Sequence, residues 1–353
     1  MATRSPSCRP SPAAGSTHAV TWTPAGSTVL VTGAQGFIGA WVAERLLDEG
    51  ARVVVPRRDV EPEARFRSDG VEERCVVVPA DIQDLEAMTR VLNEHGVDAV
   101  FHLAAQTIVG TANRSPLSTF EANVRGSYVL LEACRAVGAV GDPVARIVVA
   151  SSDKAYGAHD ELPYREDFAL QPTFPYDVSK ACTDLIARSF AATYGMPVAV
   201  TRFANVYGGG DVNWSRIVPD SCRALVAGQG PVIRSDGTPE RDYIYVEDAV
   251  DAYLAVAASL DDERLRGRAW NAGWGSPLAV REIVDRLIAV SGADVTPEIR
   301  GSGTPHGEID RQYLDSSAIR GELGWQPRIG LDEGLRRTYA WYERRLAGSS
   351  VVA

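Results

Sequence analysis

Two short segments of the 353-residue chain carry side chains able to do chemistry together: Ser151–Gly157, reading SSDKAYG, and Tyr176–Lys180, reading YDVSK. Tyrosine and lysine four positions apart on a helix share a face, with about 6 Å of rise between them. A lysine ammonium placed there pulls the tyrosine pKa down from its ordinary value near ~10, so the phenol becomes usable as a base. Such a base takes the proton of an alcohol while hydride leaves the same carbon for an oxidised acceptor.

The elements that must hold these groups lie upstream. From Ser27 the chain reads strand, glycine turn, helix (STVLVTGAQGFIGAWVAERLLDEG), and then a second strand in ARVVVPRRD. Continuous apolar runs in TVLV, RVVV, CVVVPAD, DAVFHLAA and ARIVVASS suit strands buried on both faces of a parallel sheet. Helical stretches such as DLEAMTRVLNEHG and TFEANVRGSYVLLEACRAVG alternate with them. This pattern predicts an α/β fold, a Rossmann-type doubly wound parallel sheet. We assign the sheet domain to residues 27–205, completed by about 240–270, and a smaller C-terminal substrate lobe to 206–239 and 271–346, where elements shorten. Residues 1–26 are biased to Pro, Ser, Thr and Ala, lack the apolar core of a signal peptide, and read as a mobile tail.

Gly33, Gly36 and Gly39 follow the first strand and open the first helix, with Gln35, Phe37 and Ile38 between them. Tight turning and a positive helix end suit the pyrophosphate of a dinucleotide, which makes these six residues candidates to hold it. The second strand ends in Pro56-Arg57-Arg58-Asp59. Arg57 and Arg58 favour NADP over NAD, since paired guanidiniums suit a 2′-phosphate; the alternative has both in solvent and Asp59 on the ribose. Asp81 and Ile82 stand where a carboxylate and an aliphatic would meet adenine, although Asp84 also reads as a helix cap there. Leu103, Ala104, Ala105 and Gln106 end another strand on the side where open sheets bind ligands. His102 before them reads as a packed strand residue.

A formal charge of −10 argues against a nucleic-acid partner. An anionic substrate must then be met by locally placed arginines. Five scattered cysteines without a Cys-x-x-Cys pair predict reduced thiols in a cytoplasmic protein and no metal site. No apolar run is long enough to span a bilayer.

Taken in this order, the glycine turn, HLAAQ, SSDKAYG, YDVSK, RFANVYGGGD and RDYIYVEDA resemble the extended short-chain dehydrogenase/reductase family over about residues 28–345. Within it the chain looks most like the nucleotide-sugar 4,6-dehydratases, particularly the CDP-glucose branch, which has a similar Ser-Asp-Lys segment. The resemblance implies that Tyr176 is the base at the sugar 4-hydroxyl and that Lys180 holds the nicotinamide ribose. It further implies that Ser152 hydrogen-bonds that hydroxyl and that Asp153 and Lys154 serve as acid and base of a dehydration. Asn123 matches an asparagine that supports the active-site lysine, and Asn205 one that touches the substrate phosphates. Arg216 and Arg241 match positions that approach the nucleotide diphosphate, and Arg311 is a further candidate.

The dTDP-glucose enzymes carry Asp-Glu where this chain has Asp153-Lys154. A nucleotide-sugar 4-epimerase would use the same tyrosine oxidation without that pair. A silent cofactor-binding protein would require none of Ser152, Tyr176 and Lys180. In the resembling family the helices at residues 118–137 and 176–195 pair with their copies in a four-helix bundle, which implies a homodimer; an apolar stripe alone suits intramolecular core equally well.

Overall fold

The computed structural model describes residues 22–303 and 309–347. Its strands are β1 (Thr28–Thr32), β2 (Arg52–Arg57), β3 (Val76–Pro79), β4 (Ala99–His102), β5 (Arg146–Ala150), β6 (Val198–Phe203), β7 (Asn205–Tyr207), β8 (Val232–Ile233), β9 (Glu240–Tyr245), β10 (Ala269–Ala272), β11 (Pro277–Ala279), β12 (Glu298–Ile299) and β13 (Arg311–Gln312). The α-helices are α1 (Phe37–Asp48), α2 (Arg65–Ser68), α3 (Leu85–His95), α4 (Val109–Arg114), α5 (Pro116–Phe120), α6 (Gly126–Val140), α7 (Pro175–Tyr194), α8 (Ile217–Val226), α9 (Val246–Ser259), α10 (Val280–Ser291), α11 (Ser317–Leu323) and α12 (Leu331–Ala347).

Seven strands form one parallel sheet in the order β10-β6-β5-β4-β1-β2-β3. Side chains alternate across it. Val29 and Val31 of β1 point into the core under α1 and α9, while Leu30 points into the core under α3, α6 and α7. All three are unexposed. Burial of each contributes about 1.5–3 kcal/mol, which is why the strands read as continuous apolar runs. This is the Rossmann-type doubly wound sheet expected, with its strand order reversing between β1 and β4. A smaller sheet of β11, β9 and β13, with β7 alongside β9, joins a separate core under α8, α10 and α12. Among the described residues no helix is long and apolar enough to cross a membrane.

Two expectations change here. The tail assigned to residues 1–26 runs too far: residues 1–21 lie outside the described chain, but Trp22 packs on the core beneath the Arg146 guanidinium, 4.8 Å from its ring. The following turn is pinned by Ser27 N–H on the Pro24 carbonyl at 2.9 Å. The helix expected over 118–137 is also divided, into α5, a π-helical turn Glu121–Arg125, and α6. The wide turn carries Asn123, which is buried and bonded through its side chain to Gln106 and to Ser179 of α7.

Candidate active site

A cleft of about 1270 Å³ runs along the C-terminal ends of the central strands. That exceeds the space a single small ligand takes and suits a dinucleotide plus a second molecule. At its centre Gly33 turns with φ +75°, and a Cβ there would stand 2.6 Å from the Ala104 nitrogen. Gly39 is pressed against the Gly33 carbonyl in the same way, so α1 starts hard on the turn. Gly36 caps α1 without a side-chain hydrogen bond, which leaves the first amides of the helix to meet an anion. The cradle fits a dinucleotide pyrophosphate, and Gln35, Phe37 and Ile38 line the cleft beside it.

The adenosine end lies over β2 and β3. Asp81 and Ile82 line it, with Arg58 and Asp59. Asp84 caps α3 by accepting the Ala87 amide at 3.0 Å. Arg57 corrects the sequence reading: it does not line the cleft but pairs with Glu72. Arg58 is engaged as well, 2.6 Å from Asp59 and 3.8 Å from Asp81. Arg58 follows the end of β2 and lines the cleft while Arg57 stands on Glu72 outside it, so the two do not face one phosphate.

The reactive end lies over β5. Ser151 donates to the Lys180 carbonyl at 3.2 Å, and Lys180 Nζ donates to the Ala150 carbonyl at 2.8 Å. Those bonds tie α7 to the strand end. Pro175 at the first helical position starts α7, which places Tyr176 in its first turn. After the strand, Ser152 caps a 3₁₀ turn Asp153–Tyr156: its Oγ accepts the Lys154 amide at 3.2 Å and donates to Asp153 Oδ1 at 3.0 Å. Ser152, Asp153, Lys154, Tyr176 and Lys180 all line one part of the cleft.

The charge states refine the sequence reading. Burial pushes the Tyr176 phenol up to about 12; the charge of Arg216 pulls the other way, as does a hydrogen bond from Ser152. Burial pulls Lys180 down to about 8. The leading downward pull on the phenol is thus the Arg216 charge, while Lys180 Nζ is bonded to the Ala150 carbonyl. Burial also pushes the Asp153 carboxyl up to about 6, against the opposing pull of Lys154, Ser152 and Arg241. A carboxyl so placed is half protonated near pH 6, about two pH units above an ordinary aspartate.

Beyond the reactive groups the cleft is lined by Asn205, Arg216 and Arg241. Arg216 is held on Asp211 at 2.8 Å, and Tyr342 of α12 donates to the Asp211 carbonyl at 2.5 Å. Arg241 donates to the Asp310 carbonyl at 3.0 Å. Two predicted residues stand elsewhere. Arg311 is exposed and pairs with Glu240 at 2.6 Å outside the cleft. Asn123 lies behind the cleft wall rather than in it: its Oδ1 accepts the Gln106 amide at 2.6 Å, and its Nδ2 donates to the Gln106 carbonyl at 3.0 Å and to Ser179 Oγ at 2.8 Å. Leu103 to Gln106 do line the cleft. Sequence reasoning missed Arg234, which lines the far end and pairs with Asp220 at 2.9 Å. Its signal was an arginine closing the short strand in PVIR, the same pattern that marked Arg57.

Residues 29–273 match the NAD dependent epimerase/dehydratase family, and the chain belongs to that family. It is 32% identical to the UDP-glucose 4-epimerase of Azospirillum brasilense over 343 residues, 93% of this chain and 95% of that one. It is 31% identical to the CDP-glucose 4,6-dehydratase of Salmonella typhimurium, with 93% of each chain covered. Among solved structures it superimposes on the dTDP-glucose 4,6-dehydratase DesIV of Streptomyces venezuelae, solved with NAD bound, with a TM-score of 0.80, 30% identity, and coverage of 92% of this chain and 99% of that one. The chain is thus an enzyme of a nicotinamide-dependent family whose members include both epimerases and dehydratases of nucleotide sugars.

Proposed function

We propose that the chain is a nucleotide-sugar 4,6-dehydratase, converting a nucleoside diphosphate hexose to its 4-keto-6-deoxy form. The observation that carries this reading is Asp153, a buried carboxyl raised to about 6 with Lys154 beside it, in the same part of the cleft as Tyr176. An epimerase has no use for that pair, since re-presenting the opposite face of a ketone requires neither acid nor base at carbons 5 and 6.

NAD bound in the cleft supplies the acceptor for hydride from carbon 4 and its return to carbon 6. Tyr176 takes the proton of the 4-hydroxyl, assisted by the Ser152 hydrogen bond and the charge of Arg216. The new carbonyl acidifies the proton on carbon 5, which Lys154 removes, and protonated Asp153 delivers its proton to the departing 6-hydroxyl. Lys154 then returns a proton to carbon 5, so the net change is loss of one water. Arg216 and Arg241 pair with the substrate diphosphate, in a chain whose net charge otherwise repels it.

The cofactor in this reading is NAD rather than the NADP favoured by sequence. Glu72 takes Arg57, and Asp59 and Asp81 flank Arg58, so no free guanidinium pair is left for a 2′-phosphate. We also infer a homodimer through α6 and α7, whose Tyr128, Leu185 and Tyr194 are exposed. The test of the activity is incubation with CDP-, dTDP-, UDP- and GDP-hexoses and NAD. Loss of one water by mass spectrometry supports the reading. An unchanged mass with an inverted carbon 4 supports the epimerase instead.

A further inference from the structure

His102 ends β4 and is buried without lining the cleft. Its Nδ1 lies 2.7 Å from Thr32 Oγ1 and its Nε2 2.9 Å from Ser127 Oγ. The hydrogens follow from the neighbours. Ser127 donates its hydroxyl to the Asn123 carbonyl at 2.5 Å, so it accepts from Nε2–H. Nδ1 then accepts from the Thr32 hydroxyl, whose oxygen takes the Ala104 amide at 3.2 Å. Burial first, and then the charge of Lys180, hold the ring pKa down to about 3, which keeps the ring neutral across the working pH range.

Both ends of this buried chain of hydrogen bonds lead to one loop. Thr32 holds it at Ala104, where Gly33 already approaches so closely that a methyl group would not fit. At the other end Ser127 holds the carbonyl of Asn123, whose side chain grips both backbone groups of Gln106. Asn123 also bonds Ser179, which donates to the Tyr176 carbonyl at 2.6 Å. Sheet order places this loop between the glycine turn at β1 and the reactive residues at β5, on the side of the cleft away from Asp81.

We propose that His102 is a positioning residue: through Thr32 and Ser127 it sets the loop Leu103–Gln106 against both the glycine turn and α7, and so places the nicotinamide half of the cofactor. This rests on the nicotinamide cofactor of the family and not on the dehydratase reading. The test compares NAD with ADP, which carries the adenosine and both phosphates but no nicotinamide riboside, by calorimetric titration of the full-length protein. His102→Phe and Thr32→Val each weaken NAD about tenfold, the scale of one buried hydrogen bond, and leave ADP within about twofold. His102→Asn, whose amide oxygen can accept from Thr32, recovers part of the NAD-to-ADP ratio. Parallel weakening of NAD and ADP, or no change in either, overturns the proposal. If His102→Phe does not fold, the isosteric Thr32→Val decides alone on the same two outcomes.

Discussion

Asp153 shows how far one residue's environment departs from what stability alone would select. Its carboxyl is 4% exposed and titrates near 6 instead of the ordinary carboxylate value, because burial disfavours the charge. A group whose pKa is raised on folding stabilises the fold below its unfolded pKa, and that stability is lost as pH rises through the folded value. Above about pH 6 the fold therefore carries a buried charge at a cost of up to about 3 kcal/mol. Asp153→Asn should melt above the wild type at pH 8, and the gap should close toward pH 4 in thermal scans. An equal melting temperature at pH 8 would remove the argument for a tuned acid. Arg216 makes a companion case. With its charge the principal downward pull on Tyr176, Arg216→Met should move the ascending limb of the kcat profile, where the base loses its proton, to higher pH, and an unmoved limb would assign that role to Lys180.

At the scale of elements, the catalytic turn is anchored by a buried pair. Arg202 of β6 and Asp184 of α7 are unexposed and joined at 2.8 and 3.0 Å. Arg202 also donates at 2.7 Å to the hydroxyl of Tyr156, the last residue of the turn that starts at Asp153, and Tyr156 donates to Asn271 of β10. Removing Arg202 leaves the buried Asp184 charge with only the long contact to Arg188 at 3.7 Å. Arg202→Met should cost about 3–5 kcal/mol in denaturant unfolding, and a loss below about 1 kcal/mol would contradict the anchoring role. Neither residue was singled out in the sequence, since nothing in a single chain marks which arginine is buried. The glycine turn, the Tyr176–Lys180 spacing and the Ser152 turn were legible because they are local, set by a helical repeat or a strand end. Arg57 and Arg311 were misplaced because their partners Glu72 and Glu240 come from other segments, whereas Asn123, read as a support of the active-site lysine, stands behind the cleft wall on Gln106 and on Ser179 of α7.

For the whole molecule, the doubly wound parallel sheet was readable from alternating apolar runs and helical stretches, its strand order was not, and the lobe under α8, α10 and α12 was legible only as a change of texture. That lobe reaches the reactive end through Asp211, Arg216 and Tyr342, contacts that join segments distant in sequence. The exposed apolar side chains of α6 and α7 make assembly a prediction at this scale. Leu185→Glu should convert a dimer to a monomer in light scattering, and a wild-type monomer at micromolar concentration would exclude the bundle.

The central claim is that Asp153 and Lys154 eliminate water after oxidation through Tyr176. It is tested most directly by running the reaction in deuterium oxide on whichever nucleotide hexose is turned over. The account predicts a 4-keto-6-deoxy product with one solvent deuterium on carbon 5, and the loss of both dehydration and deuterium uptake in Lys154→Ala. A product with no solvent deuterium on carbon 5, or full dehydration by Lys154→Ala and Asp153→Asn, would contradict it.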